Sequence, residues 1–196
     1  MLSRRAISLT LAAAAVLAAG GCDRDVIIDP QRTDTVEPVA SASVAPIDGP
    51  VAFHVHLDNG QRLIMNDANS TGCPAMSGRI VLGANRIVSL TAFLPQCATS
   101  DNGSPGNGRH GVYRTSADIP AGRTTTTAPT PLGEATLFTQ PYYECTNSCK
   151  HYTEPVAVIA LSSPGDNGVR ALVVVGDRGA VDQAALTTLI HDQLTP

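Results

Sequence analysis

From residue 50 onward, apolar and polar positions alternate in short runs. The segments "VAFHVHL" (51–57) and "QRLIM" (61–65) flank Asp58-Asn59-Gly60. An Asn-Gly between two β-rich runs predicts a hairpin, because both central residues of the tight turn need φ > 0. In that register Asp58 faces Gln61 and His54 lies opposite Met65. Further strands are expected at 78–83 ("GRIVLG"), 86–94 ("RIVSLTAFL"), 112–116 ("VYRTS") and 134–144 ("EATLFTQPYYE"). A Gly/Asn-rich loop (99–111) and the exposed Thr/Pro segment "RTTTTAPTP" (123–131) separate the later ones. "PVAVIALSS" (155–163) and "VRALVVVGD" (169–177) form a second hairpin about another Asp-Asn-Gly. Both are almost continuously apolar, which places them centrally in a sheet.

The period changes once, near the carboxyl end. In "VDQAALTTLIHDQLTP", Asp182 is a helix N-cap, and Val181 and Leu186 have hydrophobic-staple spacing. Leu186, Leu189, Ile190 and Leu194 then share one face. The sum is an α+β domain: a mostly antiparallel sheet of six to eight strands built from hairpins, with a C-terminal helix packed on one face. The three Asp-Asn-Gly triplets repeat turn chemistry, and the segments around them do not align as repeats.

Before this domain the pattern is different. Arg4 and Arg5 precede an uncharged Leu/Ala/Val stretch from Ala6 to Ala19, which is too short for a permanent span of about 20 apolar residues. It has the proportions of a secretory signal instead. Its end, Ala19-Gly20-Gly21-Cys22, resembles the lipobox of bacterial lipoproteins, with Ala19 where leucine is usual. The resemblance covers residues 1–22. It implies removal of a signal peptide (1–21), a diacylglyceryl thioether on Cys22, and attachment to the extracytoplasmic face of the cell membrane. Ser3-Arg4-Arg5 also partly resembles a twin-arginine export signal. Residues 22–49 are polar and Pro-punctuated and are expected to be a tether, with "VIID" (26–29) a possible short strand. Residues 50–196 are expected to form a single domain.

That address decides how the cysteines are read. Setting Cys22 aside leaves Cys73, Cys97, Cys145 and Cys149. An even set in an oxidising compartment implies two disulfides, with three possible connectivities. Proximity favours Cys73–Cys97 and Cys145–Cys149. Loop entropy assigns them about 3.5 and about 2 kcal/mol respectively. The C-x-x-x-C spacing fits neither a thioredoxin-like site nor a zinc pair with a matching second pair.

Composition narrows the partners. Net charge is −4, with no basic run after the signal, so nucleic acid is not expected. Membrane attachment then rests on Cys22 alone. Lys150 is the one lysine among thirteen basic residues, and with abundant Ala, Thr, Val and Gly the chain resembles proteins of high-GC actinobacteria. Aromatic residues make up 4% with no tryptophan, which makes the core aliphatic.

Candidate chemistry is sparse. There is no P-loop, dinucleotide fingerprint, Gly-x-Ser-x-Gly or His-Glu-x-x-His. His54-x-His56 on a strand puts two imidazoles on one face, and with Met65 opposite they could hold copper. "FHVHLDNG" resembles a strand of copper/zinc superoxide dismutases. That family needs six metal-binding histidines, and this chain has five in all. The competing reading puts His54 and His56 on a polar sheet face. Glu144 and Glu154 lie near the Cys145–Cys149 staple and are expected to be solvated. Tyr142, Tyr143 and Tyr152 are three of the four tyrosines, and aromatic residues are favoured at contact surfaces. Thr124–Thr127 would suit O-glycosylation in an envelope protein, and equally an exposed loop. The functional expectation is an anchored binding module, leaning away from an enzyme and with no required cofactor. Its alternatives are a copper protein using His54 and His56, and a carrier of a hydrophobic small molecule held between sheet and helix.

Overall fold

The computed structural model describes residues 42–66, 73–84, 86–97, 116–145 and 147–196, with the backbone alone at Cys145. The signal segment, Cys22, the 26–29 stretch, the 99–111 loop and most of the 112–116 stretch lie outside the described residues.

Ten strands form two sheets among the described residues. Strands β1 (Ser43–Ile47), β2 (Phe53–Leu57) and β10 (Leu194–Thr195) make a small antiparallel sheet with β2 central. The large sheet has the order β3-β4-β5-β9-β8-β7-β6. Its members are β3 (Arg62–Met65), β4 (Met76–Val81), β5 (Ile87–Ala92), β6 (Thr126–Thr130), β7 (Gly133–Cys145), β8 (Cys149–Leu161) and β9 (Ala171–Gly176). Every pairing is antiparallel. The single α-helix among the described residues, α1 (Gln183–Asp192), packs on the large sheet. The α+β class, mostly antiparallel with a C-terminal helix on one face, is thus the fold observed.

Strand alternation divides the large sheet into two apolar faces. One face carries Ile80, Val88, Leu90, Leu137, Ile159, Leu172 and Val174. It is covered by Leu186, Leu189 and Ile190 of α1 and by Phe53, Val55 and Leu57 of the small sheet. The opposite face carries Phe138, Val156, Val158 and Val173, packed against Phe93 and Cys97. Val156–Ile159 of β8 and Leu172–Val174 of β9 are buried on both faces, the physical reason for their unbroken apolar runs. The helix start is local chemistry: Asp182 Oδ1 accepts from Ala185 N at 2.8 Å.

Four expectations are corrected. β2 and β3 do not pair, and the Asp58–Gln61 turn joins the two sheets. Gln61 N donates to Asp58 O, and Gly60 has φ +80, but Asn59 is not left-handed. With its positive φ at the second central residue, Gly60, the turn is of neither the I′ nor the II′ kind that matches the twist of a tight hairpin, and its strands splay. Residues 43–47, read as tether, form β1, because an edge strand accepts Pro46. Residues 126–130, read as an exposed loop, form edge strand β6, where Pro129 is tolerated for the same reason. Leu194 lies beyond α1 and is buried from β10 instead. β8 and β9 are adjacent and central as expected, and their loop holds Asn167 at φ +54 and Gly168 at φ +79.

Candidate functional site: a ribbon and the carboxyl cluster at its base

β7 and β8 pair over their full length, from Gly133↔Leu161 to Cys145↔Cys149. β6 covers β7 only over Gly133–Leu137, and β9 covers β8 only over Val156–Ala160. Beyond those limits the two strands pair with one another alone, as a two-stranded ribbon. Cross-strand rings line both of its faces. Tyr142 and Tyr152 stand opposite each other with ring centroids 6.0 Å apart, and Tyr143 and His151 do the same at 6.0 Å on the other face.

The three tyrosines therefore do not form one patch. Adjacent residues on a strand point to opposite faces, so Tyr142 turns inward and is buried, while Tyr143 and Tyr152 stay half-exposed. Lys150, His151 and Thr153 are exposed along the same strand.

The base of the ribbon is polar and buried. Glu154 is 4% exposed. Its Oε2 accepts from Gln140 Nε2 at 3.0 Å, and its Oε1 accepts from the Arg178 backbone N–H at 2.6 Å. Arg178 is left-handed at φ +54, a conformation that ordinary L-residues avoid. Its Nε donates to Glu144 Oε1 at 2.7 Å, and its Nη2 pairs with that same oxygen. Tyr142 OH also donates to Glu144 Oε1, at 3.2 Å. Beside them, Ser89 Oγ donates to Asp177 Oδ2 at 2.5 Å.

Burial pushes the Glu154 carboxyl above its ordinary value of 4.5; its two hydrogen bonds oppose this, and the nearby Asp177 charge adds to it. Burial raises Asp177 too, against the Ser89 hydrogen bond and the positive charges of Arg178 and Arg79. Two adjacent acids that hold protons more readily than usual resemble acid–base machinery. Here each Glu154 oxygen accepts from a fixed donor, and the bond from the Arg178 N–H holds the turn after β9 against the ribbon. The expectation that Glu144 and Glu154 are both solvated is corrected, since Glu154 is buried and Glu144 is enclosed by Arg178 and Tyr142.

The remaining candidates are dispersed. His54 and His56 lie on the exposed face of β2. His54 Nδ1 donates to the Pro196 main-chain oxygen at 2.9 Å, and His56 Nε2 is hydrogen-bonded to Thr195 Oγ1 at 2.9 Å. Both tie β10 to β2. Met65 is in the other sheet, 40% exposed and packed against Gly78, so it does not stand opposite His54. Among the described residues, no group of three or more His, Cys, Asp or Glu could hold a metal.

Cys73 and Cys97 form a disulfide with Cα atoms 5.6 Å apart, on the sheet face opposite α1. Cys145 and Cys149 are directly opposed in register, and Cys149 is disulfide-bonded. Between β6 and α1 runs an open cleft of about 280 Å³, lined by Ala128, Pro129, Thr187, Thr188, His191 and Asp192. Between sheet and helix themselves, Leu186 and Ile190 are fully buried in the apolar cluster. No helix among the described residues is long and apolar enough to cross a membrane.

Sequence reasoning missed Gln140, Asp177 and Arg178. A signal for the first was present: pairing Cys145 with Cys149 sets a register that puts Gln140 opposite Glu154. Arg178 carried no local signal, since its partners arrive from another strand pair. In comparisons with known proteins, no family model, curated protein or solved structure significantly matches this chain.

Proposed function

We propose that this chain is a lipid-anchored, extracytoplasmic interaction module, held to the membrane by lipid on Cys22, whose contact surface is the outer part of the β7–β8 ribbon. The observation that carries this reading is the ribbon itself. It extends past its neighbouring strands, presents half-exposed Tyr143 with exposed His151 on one face and half-exposed Tyr152 with exposed Lys150 on the other, is fixed at its base by Glu154, and is braced toward its outer end by Arg178 on Glu144. A braced two-stranded platform offers aromatic area that is already ordered, so little conformational entropy is lost on binding. The lipobox-like Ala19-Gly20-Gly21-Cys22 supports the anchor.

The test is site-specific photo-crosslinking in intact cells, with a crosslinker at position 143 or 151 and a control at exposed Thr188 on α1. Ribbon positions are expected to give one defined adduct that the control lacks, from protein found in the membrane fraction. Cys22→Ala is expected to remove both the membrane association and the adduct. Equal adducts at ribbon and control would overturn the contact surface, and membrane retention of the Cys22→Ala protein would overturn the anchor.

A further inference from the structure

The strand at the β6 edge has an unusual combination of features. Residues 123–127 (Arg-Thr-Thr-Thr-Thr) are all exposed, and the chain there is leading into, or already within, the outermost strand of the large sheet. An open edge offers unpaired backbone N–H and C=O groups to any other chain, and proteins commonly blunt such edges with charge or proline. The opposite edge, β3, carries Arg62, and β1 of the small sheet carries Pro46. β6 (Thr-Thr-Ala-Pro-Thr) has no charge, and its one proline, Pro129, is the fourth of its five residues, as Pro46 is in β1. The stretch from Thr124 to Thr127, which leads into this strand and begins it, is uncharged and exposed.

The hydroxyls in this stretch are not equivalent. Thr126 lies opposite Leu137, on the α1 side, where its Oγ1 accepts from Gln183 Nε2 at 3.3 Å. Thr127 lies opposite Thr136 on the other face. Thr124, Thr125 and Thr127 are exposed, and their hydroxyls bond to no described residue. Consecutive exposed threonines with prolines close behind make the acceptor composition of O-glycosylated segments.

We infer that Thr124, Thr125 and Thr127, but not Thr126, are O-glycosylation sites. In the transfer, Thr Oγ1 attacks the anomeric carbon of a sugar carried on a polyprenyl phosphate. The bond from that carbon to the phosphate oxygen breaks, the phosphate leaves with the electron pair, and the hydroxyl proton passes to a base on the transferase. The inference rests on the extracytoplasmic reading above, since such donors act on exported chains.

The experiment is site mapping by mass spectrometry on the full chain purified from its native host, using fragmentation that keeps sugars attached. Hexose increments are expected on Thr124, Thr125 or Thr127 and none on Thr126. The Thr124→Ala/Thr125→Ala/Thr127→Ala variant should lose every increment from this segment with no change in melting temperature, and Thr126→Ala should retain them. Increments confined to Thr126, or an unmodified segment on a protein whose Cys22 is lipidated, would overturn the inference and leave the anchor standing. An unmodified segment on a chain that still carries residues 1–21 would overturn both.

Discussion

The β7–β8 hairpin is one continuous register with two different sources of order. Its inner half, around Ala135↔Ile159 and Leu137↔Ala157, lies between neighbouring strands with one face buried in the apolar cluster under α1, and Phe138, Val156 and Val158 of the other face join the second apolar cluster. Its outer half has no neighbouring strand and is held by cross-strand rings and one polar brace. The inner half is stabilised by removing apolar area from water, at roughly 25 cal/mol per Å². The outer half depends on a few directional contacts, each of which contributes on the order of 1 kcal/mol or less. The same strand pair can therefore be a rigid core element at one end and a presented surface at the other.

The largest effect should come from the inner half. Ile159 is fully buried, and Ile159→Ala is expected to cost about 2–5 kcal/mol of unfolding free energy, measured by denaturant titration. A loss below about 1 kcal/mol would mean that this half is no better packed than the ribbon.

A smaller effect sits at the boundary, and it has a definite sign. Burial raises the folded-state pKa of Glu154 above its ordinary 4.5, so between those two values the folded protein holds a proton that the unfolded chain releases. Its contribution to stability is fully present below the ordinary value and is lost as pH rises through the folded value. Asp177 adds in the same direction from its ordinary 3.8. Glu154→Gln keeps an acceptor for the Arg178 N–H, and Gln140 can turn its amide to accept the new N–H. The variant is expected to be at least as stable as the parent at neutral pH and to lose the Glu154 part of the slope, read by melting at a series of pH values. An unchanged slope would show that Glu154 does not titrate in that window.

The smallest effect on global stability belongs to the brace. Arg178→Gly relieves a left-handed side-chain residue, worth about 1–2 kcal/mol, and removes a mostly exposed ion pair worth about 0–1 kcal/mol. The net change in melting should be near zero or slightly positive, while the amides of 141–144 and 150–153 exchange faster with deuterated solvent. Unchanged exchange in the ribbon would mean that its rigidity comes from the cross-strand rings alone.

Where a structural feature depended on contiguous residues, it was legible in the chain. Asp182 caps the helix three residues ahead of its bonding partner, and the β8 and β9 runs announce burial on both faces through composition alone. The alternation in "FHVHL" correctly separated the buried Phe53, Val55 and Leu57 from the exposed histidines. Proline was over-read as a breaker at Pro46 and Pro129, because an edge strand needs no N–H on its open side and nothing local marks a strand as an edge. The Asp58-Asn59-Gly60 turn was over-read as a hairpin, because the same residues suit a turn that splays its strands. Of the candidate site, the tyrosines and cysteines were visible as a cluster, but their division between two faces follows from register.

The sequence by itself determined the fold class, the central strand pair and the capped helix with its buried Leu186, Leu189 and Ile190, since each follows from propensity and periodicity within a short window. Only the tertiary structure decided that there are two sheets, that the hairpin outruns its neighbours, and that Glu154, Asp177 and Arg178 meet at its base. Those outcomes depend on pairings between distant segments. Burial then sets the proton affinity of the two carboxyls, and the desolvation that raises it exists only once the chain has closed around them.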